Sequence, residues 1–118
     1  MRCRYYITLG AALWASSLQA KPSLLKQAIQ AFEKDDFAQA QTLIDQATDQ
    51  TTAPGQAWYY RGAIYEKLLR DQITGEKAPE LLETTLAAYR QALALIPAPS
   101  QYHSFVQINL ENLWAYYV

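Results

Sequence analysis

Few side chains in this 118-residue chain could do chemistry, and they do not gather. His103 is the single histidine, so neither a two-histidine metal site nor a histidine pair can be built, and its place near the start of a helix reads as a flank position. Asp45 and Asp49 stand four residues apart on one helix face, the spacing of paired carboxylates, but no further ligand lies near them in sequence; a solvated face is expected there. Asp35-Asp36 and the Glu80/Glu83 pair fall at helix starts, where acidic side chains suit the helix dipole. No glycine-rich phosphate loop or nucleophile elbow surrounds Ser16, Ser17, Ser23, Ser100 or Ser104. The expectation is therefore no catalysis, no metal and no cofactor.

Composition narrows the class further. The formal net charge is −1 and no basic run follows Arg4, so the electrostatic footprint of a nucleic-acid binder is missing. The one cysteine, Cys3, lies in a leader-like start. Met1-Arg2-Cys3-Arg4 forms a positive head, Tyr5 to Leu18 is uncharged and apolar, and Ser16-Ser17-Leu18-Gln19-Ala20 ends in a small residue before Lys21-Pro22. That order is the pattern of a secretory signal peptide over residues 1–20, cut after Ala20. The uncharged run, Tyr5 to Ala20, is shorter than the ~20 residues that span a bilayer. Export, to a bacterial periplasm, is expected. The remaining chain has no cysteine, 8 basic and 11 acidic residues, and a net charge of −3.

Residues 21–118 must then position whatever function there is, and their apolar periodicity is helical throughout. Leu25, Ala28, Ile29 and Phe32 form one face after a capping Ser23. Asp35-Asp36 interrupts, and Phe37, Ala40, Leu43, Ile44 and Ala47 form a second face. Thr48 to Gly55 reads as an exit loop, rich in Thr, Asp, Gln, Pro and Gly. A third helix contains Trp58-Tyr59-Tyr60-Arg61-Gly62-Ala63-Ile64-Tyr65, and a fourth contains Tyr89-Arg90-Gln91-Ala92-Leu93-Ala94-Leu95-Ile96-Pro97. The last, from Gln101, has a main stripe of Tyr102, Val106, Leu110, Leu113 and Tyr117 with Trp114 beside it. On its other side Phe105, Ile108 and Tyr116 alternate with Asn109 and Asn112.

Trp58, Gly62 and Tyr65 resemble the opening Trp-x2-Leu-Gly-x2-Tyr of a tetratricopeptide repeat, with Arg61 in place of the Leu, and Tyr89, Ala92 and Pro97 resemble its close. Ala28 precedes Gly62 by 34 residues, the period of that repeat, so the first hairpin is a degenerate second copy. Its Ala40, Ile44 and Ala47 correspond to Thr85, Tyr89 and Ala92; the 45-residue separation of Ala47 and Ala92 leaves 11 extra residues between the helices of the central repeat, near residues 71–79. Part of that length is expected to extend the helix through Leu68, Leu69 and Arg70. Ala31 stands where Tyr65 has its counterpart, a further departure from the pattern.

The resemblance implies an all-α fold, antiparallel helical hairpins stacked as a short solenoid of about two and a half repeats: residues 21–54, residues 55–97, and a last helix over residues 101–118. It implies a scaffold or adaptor that binds a partner peptide or domain on the concave face formed by the first helix of each repeat. Carried over by register, that face is Leu25, Ile29 and Phe32 with Tyr59, Ala63, Glu66 and Lys67. Tyr59 in particular matches no packing position of the repeat. Two other readings are an N-terminal helical part of a larger exported enzyme or receptor, and an aromatic site for a small apolar ligand. Because the last helix carries a second apolar strip and the chain stops within an aromatic stretch, the expectation is that further sequence or self-association through Phe105, Ile108 and Tyr116 covers it.

Overall fold

The computed structural model describes residues 23–49, 52–72 and 75–117. The leader expected over residues 1–20 lies outside them. Five helices follow one another: α1 (Leu24–Glu33), α2 (Phe37–Thr48), α3 (Gly55–Asp71), α4 (Ala78–Leu95) and α5 (Gln101–Tyr117). Among the described residues there is no strand. The fold is all-α, with α1–α2 and α3–α4 as packed hairpins and α5 stacked on α4. α2 packs on α3, whereas α1 touches α3, and α3 touches α5, only lightly, as expected of repeats that meet mainly through consecutive helices.

Local chemistry sets the helix ends. The Ser23 hydroxyl accepts from Lys26 N at 3.1 Å, and an Asp36 carboxylate oxygen accepts from Gln39 N at 3.3 Å, each satisfying an amide that a helix start leaves free. The α1–α2 turn is only Lys34-Asp35-Asp36, closed by Asp35 at φ 61°, a left-handed conformation that Asp tolerates better than bulkier residues. Pro79 sits in the first turn of α4, where its missing N–H has no intrahelical partner to lose.

The eleven residues that the sequence reading places between the helices of the second hairpin fall mostly in helix. By register with the first hairpin, α3 runs four residues past the end of α1 and α4 starts four before the start of α2. Only the remaining three lengthen the connection, which spans residues 72–77. Of the residues 71–79 where the inserted loop is expected, Asp71 belongs to α3 and Ala78 and Pro79 to α4.

Two apolar clusters hold the stack. The first joins Ala28, Ala31, Ala40, Leu43, Ile44 and Ala47 to Ile64 and Tyr65, with Leu24, Leu25, Phe32, Tyr60 and Leu68 packed around them. The second centres on Leu69, Tyr89, Ala92, Ile96, Val106 and Leu113, with Trp58, Tyr59, Tyr102 and Leu110 at its edge. A side chain the size of Ile64 or Leu69 contributes about 1.5–3 kcal/mol when fully buried. Gly62 makes the tightest crossing: a Cβ there would lie 2.4 Å from Tyr89 Cε1. Thr85 is fully buried too, and its hydroxyl is satisfied by the Leu81 carbonyl at 2.7 Å.

One expectation about α5 fails. Val106 and Leu113 are buried and Tyr102 and Leu110 are packed against the cluster, but Trp114 is 51 % exposed. At 100° per residue it lies about 80° around the helix from Val106, past the edge of what α4 can cover.

Candidate functional site

The aromatic residues of α3 and α5 form a connected row. Tyr60 and Tyr59 meet edge to face at 5.1 Å between ring centroids, Tyr59 meets Tyr102 at 5.4 Å, and Tyr102 meets Phe105 at 6.2 Å. Tyr59 also leans on Tyr89 of α4 at 6.4 Å. Gln56 Nε2 donates to the Tyr102 hydroxyl at 3.4 Å, tying the start of α3 to the start of α5. Burial raises the Tyr59 phenol above its ordinary pKa, with the neighbouring Tyr102 and the Glu66 charge adding to it.

Behind this row runs a polar relay through three helices. The Tyr89 hydroxyl donates to Glu66 Oε1 at 2.9 Å and accepts from Asn109 Nδ2 at 3.3 Å. The other Glu66 oxygen pairs with Arg70, one turn further along α3. Glu66 is buried, yet both its oxygens are engaged, so its burial leaves no unmet acceptor. Burial, the Glu66 charge and the hydrogen bond to Glu66 together push the Tyr89 phenol far above its usual range, with the Asn109 bond acting the other way.

Between α3 and α5 this arrangement leaves an open trough. One cavity of about 230 Å³ is lined by Tyr59, Phe105, Ile108 and Asn109. Another of about 320 Å³, lined by Glu66, Arg70, Asn112, Leu113 and Tyr116, lies further along the same two helices. Apolar rings and edges alternate here with amides and one ion pair. Such a lining suits a chain segment that brings both side chains and main-chain polar groups.

The seven residues expected on the concave face part into two sets. Tyr59 and Glu66 belong to the α3–α4–α5 side, Tyr59 as a packed ring and Glu66 as a buried acceptor rather than a groove edge. Leu25 and Phe32 pack on the first core, Phe32 meeting Phe37 edge to face at 5.8 Å. Ile29 and Ala63 are partly exposed beside them. Lys67 lies 5.6 Å over the Phe37 ring and 3.4 Å from Asp71. The α5 residues Phe105, Ile108, Asn109, Asn112 and Tyr116 are absent from that set, although the sequence already marks them as a second strip.

Asp45, expected with Asp49 on a solvated face, is partly open to water and is also engaged across the helices. It accepts from Arg61 Nη1 at 2.6 Å and from the Tyr65 hydroxyl at 2.8 Å, while Arg61 also donates to Thr48 Oγ1 at 3.0 Å. Arg61 lies 5.0 Å from the Tyr65 ring centroid and 5.9 Å from that of Trp58. An open cleft of about 490 Å³ sits over this network, lined by Asp45, Gln46, Thr48, Asp49, Trp58 and Arg61. Its one cation is already engaged by Asp45, so the cleft floor is a strut between α2 and α3. Among the described residues no group of three or more acidic, His or Cys side chains is placed to hold a metal, and no helix is long and apolar enough to cross a membrane.

Compared with family models, characterised proteins and solved structures, the chain matches none.

Proposed function

We propose that this chain is an exported protein–protein interaction module of the tetratricopeptide kind, a scaffold or adaptor that receives a partner segment in the trough between α3 and α5. The observation that carries the reading is the pair of cavities along that trough, walled by Tyr59, Glu66 and Arg70 on α3 and by Phe105, Ile108, Asn109, Asn112 and Tyr116 on α5. Its mixture of exposed apolar side chains and amides matches an extended or helical peptide better than a small charged metabolite. The tetratricopeptide kinship rests on the Trp58, Gly62, Tyr65 and Pro97 pattern and on the 34-residue register between Ala28 and Gly62. Export rests on the leader pattern of residues 1–20.

The test of binding is selection of peptides from a random displayed library against the purified chain, repeated with Asn112→Ala and with Tyr116→Ser, at two exposed positions of the trough. Peptides whose binding is lost in both variants, with unchanged thermal melting, support the trough. Selected peptides that bind all three proteins equally, or no selected peptides at all, overturn it. Export is tested separately: expressed in a bacterium, the chain is expected in the periplasm starting at Lys21, and a soluble product retaining Met1 counts against the leader.

A further inference from the structure

The outer strip of α5 has a symmetry of its own. Phe105, Asn109, Asn112 and Tyr116 are spaced four, three and four residues apart, which at 100° per residue places them within about 60° on the helix surface. This is the spacing of a coiled-coil seam. Phe105 and Tyr116 are equally distant from the midpoint between Leu110 and Glu111, and so are Asn109 and Asn112. An identical helix laid antiparallel across that midpoint therefore sets Phe105 against Tyr116 twice and Asn109 against Asn112 twice. Such reciprocity is what a two-fold interface between copies requires.

Exposure and charge agree with it. Phe105 is 44 %, Ile108 53 % and Tyr116 81 % exposed, so each end of the strip offers an apolar side chain to a neighbour. Glu111 is the only acidic residue of α5, the helix has no Lys or Arg, and Glu111 lies about 120° around from the middle of the strip. No like charges are brought together by pairing. Asn112 is exposed, and Asn109, whose amide nitrogen already donates to the Tyr89 hydroxyl, can still accept through its amide oxygen; only one antiparallel register sets the two against each other. Central asparagines fix the register of helix pairs in this way, at some loss of affinity.

We propose that the partner segment received by the trough is α5 of a second copy of this chain, paired antiparallel about the Leu110–Glu111 midpoint. The inference rests on the reading of the trough as a binding site for a helical or extended segment. Size sets the strength. With about 200 Å² for a whole aromatic side chain, the exposed parts of Phe105 and Tyr116 offer roughly 250 Å² per copy. Even with Ile108, the amides and the rim added, the total falls below the ~1,200 Å² of standard stable complexes. The dimer is accordingly weak and concentration-dependent.

Sedimentation equilibrium of the purified chain over a range from a few micromolar to about a millimolar is the test. The native chain is expected to pass from monomer to dimer across it. Phe105→Glu and Tyr116→Lys, each alone, are expected to weaken the dimer at least about tenfold with helical melting preserved, since both side chains are exposed. Combined in one chain they place Glu against Lys at both ends of the antiparallel pair, while within one chain they stand eleven residues apart and cannot meet. Recovery of the dimer in the double variant, reversed by high salt, supports the register. A native monomer at every concentration overturns the pairing, and so does a native dimer that the double variant fails to recover. Library peptides that still bind a strictly monomeric native chain leave the trough reading standing without its self-partner, whereas loss of both removes the trough as a site.

Discussion

The Tyr89 hydroxyl donates a 2.9 Å hydrogen bond to Glu66 Oε1 across the α3–α4 interface, at the level where Asn109 of α5 reaches the same hydroxyl. Three helices thus share one phenol. Because the folded state holds its proton far above the ordinary value of 10.0, the folded chain keeps protons that the unfolded chain releases. The contribution is fully present below pH 10 and is lost as the pH rises beyond it. Thermal melting is expected to be flat across neutral pH and to fall steeply above about pH 10. Tyr89→Phe should lower stability at neutral pH by about 1–3 kcal/mol, through the unmet Glu66 oxygen, and should soften the alkaline fall. An alkaline slope identical in both proteins would place the titrating group elsewhere.

Arg61 and Asp45 form a charged strut between α2 and α3, so their effects should be coupled. Arg61→Leu puts an apolar side chain at the strut and leaves Asp45 with Tyr65 alone. Asp45→Ala leaves Arg61 without its carboxylate partner. Each is expected to cost about 1–2 kcal/mol in denaturant melts, moderated because both groups are partly open to water. The double variant should cost less than the sum, by about 0.5–2 kcal/mol. Simple additivity would mean that the contact contributes nothing to stability.

Gly62→Ala sets helix propensity against packing. Alanine favours a helix interior by about 1 kcal/mol over glycine. Its Cβ, however, would sit 2.4 Å from one Tyr89 ring carbon and 2.5 Å from another, and that ring is fully buried and tethered through its hydroxyl. Overpacking of about 1–3 kcal/mol should win, so the melting temperature drops. A Gly62→Ala chain that melts higher than the native one would show that α3 and α4 can separate at little cost.

Much of the fold could be read from side-chain spacing, because a solenoid records its packing locally. Ala28, Gly62, Ala40, Ile44, Tyr89 and Ala92 stand at repeat positions and are all buried. The site was harder to read because it depends on which way a side chain leans after the helices have stacked. Tyr59 follows Trp58 in sequence and has no assigned position in the repeat, yet the third helix above it, α5, supplies Tyr102 as a ring partner. Glu66 looked like a surface acid until Tyr89 and Arg70 were brought to it from either side. Asp45 had an ion partner sixteen residues away, and the signal for it was Arg61 itself, a charged residue at a position that packs. The α5 strip was legible from its own periodicity, as a second apolar run on the helix apart from the buried Val106 and Leu113.

That distinction between leaning and facing gives the last prediction. If Tyr59 is part of the packing, Tyr59→Ala removes its edge contacts to Tyr60, Tyr102 and Tyr89 together, and circular-dichroism melts should show a loss of about 1–3 kcal/mol. Tyr116→Ser, at 81 % exposure, should stay within about 0.5 kcal/mol of the native chain. Binding should move the other way: peptides selected on the trough should lose affinity with Tyr116→Ser although the fold is untouched. Tyr59→Ala should lose both, and its binding loss should shrink on cooling, as the helices regain their packing. The decisive comparison is Ile29→Ser, on the α1 side of the face. If Ile29→Ser weakens peptide binding as much as Tyr116→Ser does, the bound segment extends from α5 across α3 to α1; if it has no effect, recognition is confined to the α3–α5 trough.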